Sequence, residues 1–175
     1  MVKAGALIVF ALVCGGAARQ DRPAHDLDVP YVPTPPKVVD AMLKMAQVTS
    51  NDVVYDLGCG DGRIVVTAAE KYGARGVGVD LDPRRIAEAN ENAKLAHVTD
   101  KVTFVVQDVF NTDFSDATVV TLYMLPSVNE KLMPKIKALK PGTRVVTHAF
   151  TFGDAWPYER KEDVDGKTIY FWTVR

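Results

Sequence analysis

Three short stretches bring together residue types that could bind a ligand, and each follows an apolar run. Asp56-Leu57-Gly58-Cys59-Gly60-Asp61-Gly62 sets three glycines at alternate positions behind an acid. Glycines at that spacing let the backbone turn sharply and let a ligand approach without a Cβ in the way, and the helix that follows presents unpaired N–H groups. Gly78-Val79-Asp80-Leu81-Asp82 places Asp80 22 residues after Gly58, where a carboxylate can accept both ribose hydroxyls of an adenosine. Asp82 immediately precedes Pro83 and suits a helix cap, which leaves Asp80 for the sugar. Gln107-Asp108-Val109 offers a polar group within reach of an adenine amino group and an apolar side chain to flank the ring.

The elements that must position these residues follow from periodicity. Residues 52–57, 76–81, 101–106, 117–122 and 143–149 are short apolar runs that read as strands, and 36–47, 63–72, 83–96 and 127–139 carry helical spacing. Short, continuously apolar strands joined by helices indicate a parallel sheet covered on both faces. Residues 158–174 hold two further strands about Asp165-Gly166, a hairpin-turn dipeptide, with little room for a full helix between strands five and six. The expected fold is an α/β, doubly wound, Rossmann-like sheet of about seven strands, mostly parallel with an antiparallel C-terminal hairpin. Ligands of such sheets sit beyond the carboxyl ends of the strands, where all three stretches fall.

The 175-residue chain has room for one domain, 37–175. Residues 19–36 hold five of the ten prolines and form an extended arm. Residues 1–18 begin with Lys3 and continue without a charge from Ala4 to Ala18, which fits a signal peptide or a retained signal anchor. This points to an exported or membrane-anchored protein without saying which side of the membrane the domain faces. A net charge of −1 provides no bulk attraction to nucleic acid or anionic lipid. The two cysteines and the scattered His25, His97 and His148 suggest no metal site, and nothing in the sequence sets an oligomeric state.

The glycine loop, the GVGVDLD stretch and the QDV stretch together resemble the class I S-adenosylmethionine-dependent methyltransferase superfamily over about residues 36–150. The resemblance implies that Asp56, Gly58, Gly60 and Gly62 surround the methionine portion of S-adenosylmethionine. It places Asp80, with Leu81 beside it, at the ribose, and Asp108 and Val109 at adenine. A dinucleotide fingerprint needs G-x-G-x-x-G, whereas here Arg63 stands at the third-glycine site. A narrower resemblance rests on Y-V-P-T-P-P (31–36), D-L-G-C-G-D-G-R and T-L-Y-M-L-P-S-V-N (121–129). These are similar to small relatives of the mitochondrial lysine methyltransferases of the ATP synthase c-subunit and the adenine nucleotide translocase. That likeness implies Tyr31 and Thr34 closing over the cofactor and a protein lysine as acceptor, with possible membrane association.

Tyr123 follows strand four, where an acceptor would arrive, and either orients an amine or simply packs. The Asn/Asp-Pro-Pro-aromatic motif of methyltransferases acting on adenine or glutamine amides is absent from this stretch. Phe150, Phe152 and Trp156 either line a channel lip or pack behind the last strands, and His148, near a strand end, either enters the pocket or, as the safer reading, is a satisfied core histidine. Alternatives to lysine methylation are a small-molecule or lipid methyltransferase and a non-catalytic nucleotide-binding module.

Overall fold

The computed structural model describes residues 32–175. Eleven elements follow in order: α1 (Pro36–Met45), β1 (Val53–Leu57), α2 (Arg63–Tyr72), β2 (Arg75–Asp80), α3 (Pro83–Leu95), β3 (Val102–Val106), β4 (Val119–Leu122), α4 (Pro126–Lys137), β5 (Arg144–His148), β6 (Arg160–Val164) and β7 (Lys167–Thr173). They form one seven-stranded sheet in the order β3-β2-β1-β4-β5-β7-β6. Strands β1 to β5 are parallel to one another, and β7 runs antiparallel to both β5 and β6. The strand order reverses between β1 and β4, which opens the crevice where α/β sheets take their ligands.

The apolar strands read as they do because both faces are covered. All five residues of β1 are buried. Val54 joins α1 and α2 in one core, with Val38, Met42, Leu43, Ile64 and Ala68. Val53, Tyr55 and Leu57 point the other way and join Val120, Leu122 and the α4 residues Leu132 and Ile136. This is the period-2 alternation of a strand applied to two separate cores. Helices begin at Pro36, Pro83 and Pro126, each at a first-turn position where the missing N–H costs nothing. Asp82 caps α3 by accepting from the Arg84 N–H, as expected of it.

The C-terminal hairpin turns on Asp165 and Gly166, both with positive φ (52° and 76°), as a two-residue hairpin turn requires. Its second strand lies inside. Strand β7 carries the buried Ile169, Phe171 and Trp172, while β6 reads Arg-Lys-Glu-Asp-Val and forms the edge. A charged edge strand discourages pairing with another chain. Of the two readings of Phe152 and Trp156, packing holds. Phe152 is fully buried edge-on to Trp172 at 4.8 Å between ring centroids, and the Trp156 carbonyl accepts the Trp172 indole N–H at 2.9 Å. Phe150 differs, lying 6.1 Å from Tyr123 between ring centroids.

No helix follows β3 before β4, or β5 before β6, so α4 alone among the helices covers its face of the sheet. Among the described residues no helix is long and apolar enough to cross a membrane. The leader expected at 1–18 and most of the proline-rich arm lie outside the described residues.

Candidate active site

A single crevice gathers the ends of β1, β2, β3 and β4 under the segment 32–34. Its walls include Thr34, Asp56, Gly58, Gly60, Asp80, Leu81, Asp108, Val109 and Tyr123. Nine of the expected site residues therefore meet in one place although they are up to 89 positions apart in the chain. Tyr31 lies outside the described residues.

The glycine loop is built against β2. The Gly58 and Cys59 N–H groups both donate to the Val79 carbonyl, at 2.8 and 2.9 Å. The Gly60 N–H donates to Asp80 Oδ2 at 2.9 Å, and the Asp82 N–H donates to Asp80 Oδ1 at 2.9 Å. Asp80 thus braces the glycine loop with one oxygen and the turn after β2 with the other. Each oxygen retains acceptor capacity, so the carboxylate can hold hydroxyls while it shapes the backbone.

Gly62 does not belong to the cavity wall. Its φ is +75°, and a Cβ there would come within 2.6 Å of the Phe104 ring and 2.7 Å of the Ala89 Cβ. The position needs glycine because the loop packs against α3 and β3. At Gly58, with φ +81°, a Cβ would sit 2.6 Å from the Met124 sulfur, so glycine here lets the loop approach the segment after β4.

Asp56 is 3% exposed and accepts the Thr121 hydroxyl at 2.7 Å. Burial pushes its carboxyl up to about 7, with the charges of Asp80 and Asp61 adding to the rise and the Thr121 hydrogen bond opposing it. Asp108 accepts the Phe110 N–H at 2.9 Å, which fixes the turn after β3 and sets Val109 and Phe110 in the wall. Leu81 is 45% exposed and lines the cavity. The charged groups of the wall are the carboxylates Asp56, Asp61, Asp80, Asp82 and Asp108 and the guanidinium groups of Arg63 and Arg85, beside apolar side chains such as Val109, Phe110, Met124 and Val128. Such a hollow suits a ligand with hydroxyls, a cationic group and a flat apolar ring. A pyrophosphate would meet several like charges.

Two contributors escaped the sequence. Arg63, at the start of α2, pairs with Asp61 at 2.6 Å and donates through Nη1 to the Thr34 carbonyl at 2.9 Å. It thereby pins 32–34 across the cavity, and its signal was its place directly after the last glycine of the loop. Thr121 holds Asp56 from the neighbouring strand, 65 positions away, and no local pattern marks it. His148, expected to be a satisfied core residue, is buried beside Thr34 and Tyr123, but its Nε2 has no hydrogen-bond partner among the described residues.

Comparison with known proteins bears on the same residues. A family model described as the ANTKMT methyltransferase domain matches residues 56–159. The chain is 48% identical over 151 residues to a protein-lysine N-methyltransferase of Saccharolobus islandicus, covering 83% of this chain and 94% of that one. It is 33% identical over 127 residues to the Xenopus laevis lysine N-methyltransferase of the ATP synthase c-subunit. That match covers 72% of this chain and 55% of the longer protein. A crystal structure of an RNA methyltransferase from Salinibacter ruber, in complex with S-adenosyl-L-homocysteine, superposes with a TM-score of 0.80 at 54% identity. The match covers 82% of this chain and 94% of that one.

Proposed function

The chain belongs to the ANTKMT methyltransferase domain family, and from that premise we propose that it transfers a methyl group from S-adenosylmethionine to a protein lysine ε-amine. The observation that carries this reading is the 48% identity with a protein-lysine N-methyltransferase across 94% of that enzyme. The crevice fits the cofactor by its chemistry. The buried Asp56 carboxyl, held half-protonated near neutral pH, accepts an ammonium group. Asp80 accepts the ribose hydroxyls, Asp108 and Val109 meet the adenine, and Leu81 covers the apolar side. Thr34 closes over the top from the strap.

The cofactor supplies a methyl group already activated on a sulfonium. The remaining work of the chain is alignment, placing the acceptor nitrogen in line with the methyl–sulfur bond. A lysine must lose its proton to water before it can attack, and the wall formed by Tyr123, Met124 and Val128 favours the neutral amine by offering it little solvation. Tyr123 orients the amine, and no side chain is required as a dedicated base.

The name of the Salinibacter ruber relative raises RNA as a rival acceptor. The carboxylates in the wall and the net charge of −1 weigh against a polyanion. Incubation with methyl-labelled S-adenosylmethionine and a total extract separates the readings. Label should enter a protease-sensitive, RNase-resistant fraction, appear as methyllysine after acid hydrolysis, and be lost in Asp80→Ala. Label in RNA, lipid or small molecules refutes the lysine reading, and binding without turnover on any fraction refutes catalysis. Residues 1–18 are proposed to direct the chain to a membrane, and fractionation of the full chain against a chain lacking them tests that.

A further inference from the structure

His148 ends β5, is 1% exposed, and does work that hydrocarbon could not. Its Nδ1 lies 3.2 Å from Thr34 Oγ1, and its ring lies against Tyr123 with centroids 3.9 Å apart. Its Nε2 is buried with no partner among the described residues. Burial pushes the imidazole down to about 4, with Lys167 adding to the fall, so the ring is neutral and the Thr34 hydroxyl can serve either tautomer. A leucine or phenylalanine would fill this place at lower cost, because a buried nitrogen without a partner gives up hydration for nothing. What the imidazole adds is the bond to Thr34.

The contacts of that ring are selective. Thr34 and Tyr123 both belong to the cavity wall, whereas His148 stands behind it. Thr34 is also the residue whose carbonyl Arg63 holds at 2.9 Å. One residue of the strap is therefore tied on one side to the start of α2 and on the other to the end of β5.

We propose that His148 is a positioning residue that latches the strap over the cofactor cavity through Thr34 and sets the plane of Tyr123 at the acceptor end. The bond between Thr34 and His148 is a neutral hydrogen bond that acts beside the Arg63 bond to the Thr34 carbonyl. The inference rests on S-adenosylmethionine occupying this cavity and is independent of which acceptor is methylated.

Calorimetric titration of the full chain with S-adenosylhomocysteine tests the latch. Thr34→Val removes one partner at nearly constant volume and His148→Phe removes the other with a somewhat larger ring, and each should weaken binding about two- to ten-fold, the range for one neutral hydrogen bond. The double variant should bind no worse than the weaker single, and Thr34→Ser should bind like the wild type. Unchanged affinity in Thr34→Val, or losses that add in the double variant, overturns the latch. If His148→Phe fails to fold, Thr34→Val against Thr34→Ser decides alone. His148→Leu removes the aromatic face as well and should raise the acceptor KM beyond its value in His148→Phe. Equal acceptor KM values in the two overturn the role at Tyr123. A wild-type chain that does not bind S-adenosylhomocysteine overturns the cofactor reading itself, and the latch with it.

Discussion

If Asp56 receives the cofactor's ammonium group as proposed, cofactor affinity should depend on pH in a window that few carboxylates reach. In the free protein burial pushes its carboxyl up to about 7, whereas an unfolded aspartate ionises near 3.8. A ligand ammonium group needs the ionised form. Half of the free protein offers it at pH 7, and about one part in a hundred at pH 5, if the group titrates as an independent acid. Affinity for S-adenosylhomocysteine should then fall about fifty-fold from pH 7 to pH 5. Binding at pH 6 should release close to one proton, visible as a dependence of the calorimetric enthalpy on the ionisation enthalpy of the buffer.

Asp56→Asn should bind weakly and show a flat profile over the same range. Its effect on the free fold has the opposite sign. The folded state holds this proton more tightly than the unfolded chain, so the group's contribution to stability is complete below about pH 4 and is lost as pH rises through 7. The loss is at most about 4 kcal/mol, taking 1.36 kcal/mol for each pH unit. Asp56→Asn should therefore melt higher than the wild type at pH 8 without ligand. A flat wild-type profile, or an equally steep profile in Asp56→Asn, refutes this account.

Other perturbations have clear expected outcomes. Gly62→Ala meets Phe104 and Ala89 at a positive φ, and should cost about 2–4 kcal/mol in denaturant titration while the folded fraction still binds ligand. Burial raises the Asp52 carboxyl, but hydrogen bonds from Thr118 and Thr49 and the Arg144 guanidinium overcome it and hold it below the usual range. Its stabilising contribution is present at neutral pH and lost as pH falls through that lowered value. Asp52→Ala should cost about 3 kcal/mol at pH 7, less in acid, because it takes the carboxylate from Arg144 and Thr118 and leaves Arg144 only its bonds to the Ala46 and Gln47 carbonyls. Asp80→Asn can satisfy only one of the two amides from Gly60 and Asp82. It should lower S-adenosylhomocysteine affinity at least ten-fold with a smaller change in melting temperature.

Local rules made the alternation of strands and helices legible, since the inner strands had to be apolar on both faces and each helix on one. The same holds for the turn at Asp165-Gly166 and for Asp82 as the cap of α3. What escaped depends on partners distant in the chain. Gly62 has the same spacing as Gly58 and Gly60, and only Phe104, 42 positions later, shows that it faces the fold rather than the cavity. His148 depends on Thr34, 114 positions away. The insertion of β7 between β5 and β6 had a local signal in retrospect. Lys-Thr-Ile-Tyr-Phe-Trp-Thr can be covered on both faces and Arg-Lys-Glu-Asp-Val cannot, so only the former suits an inner position.

The attachment of the glycine loop to β2 has a mechanical consequence. Gly58, Cys59 and Gly60 are sewn through their amides to Val79 and Asp80, so the loop is an extension of the sheet rather than an independent turn. Its shape is set when the sheet forms, and ligand arrival has little backbone left to order. Heat or denaturant that frays the pairing of β2 with β1 should release the loop at the same moment. Binding competence and sheet integrity then disappear as one event, and hydrogen exchange at Gly58 and Cys59 should follow that of the strands beneath them.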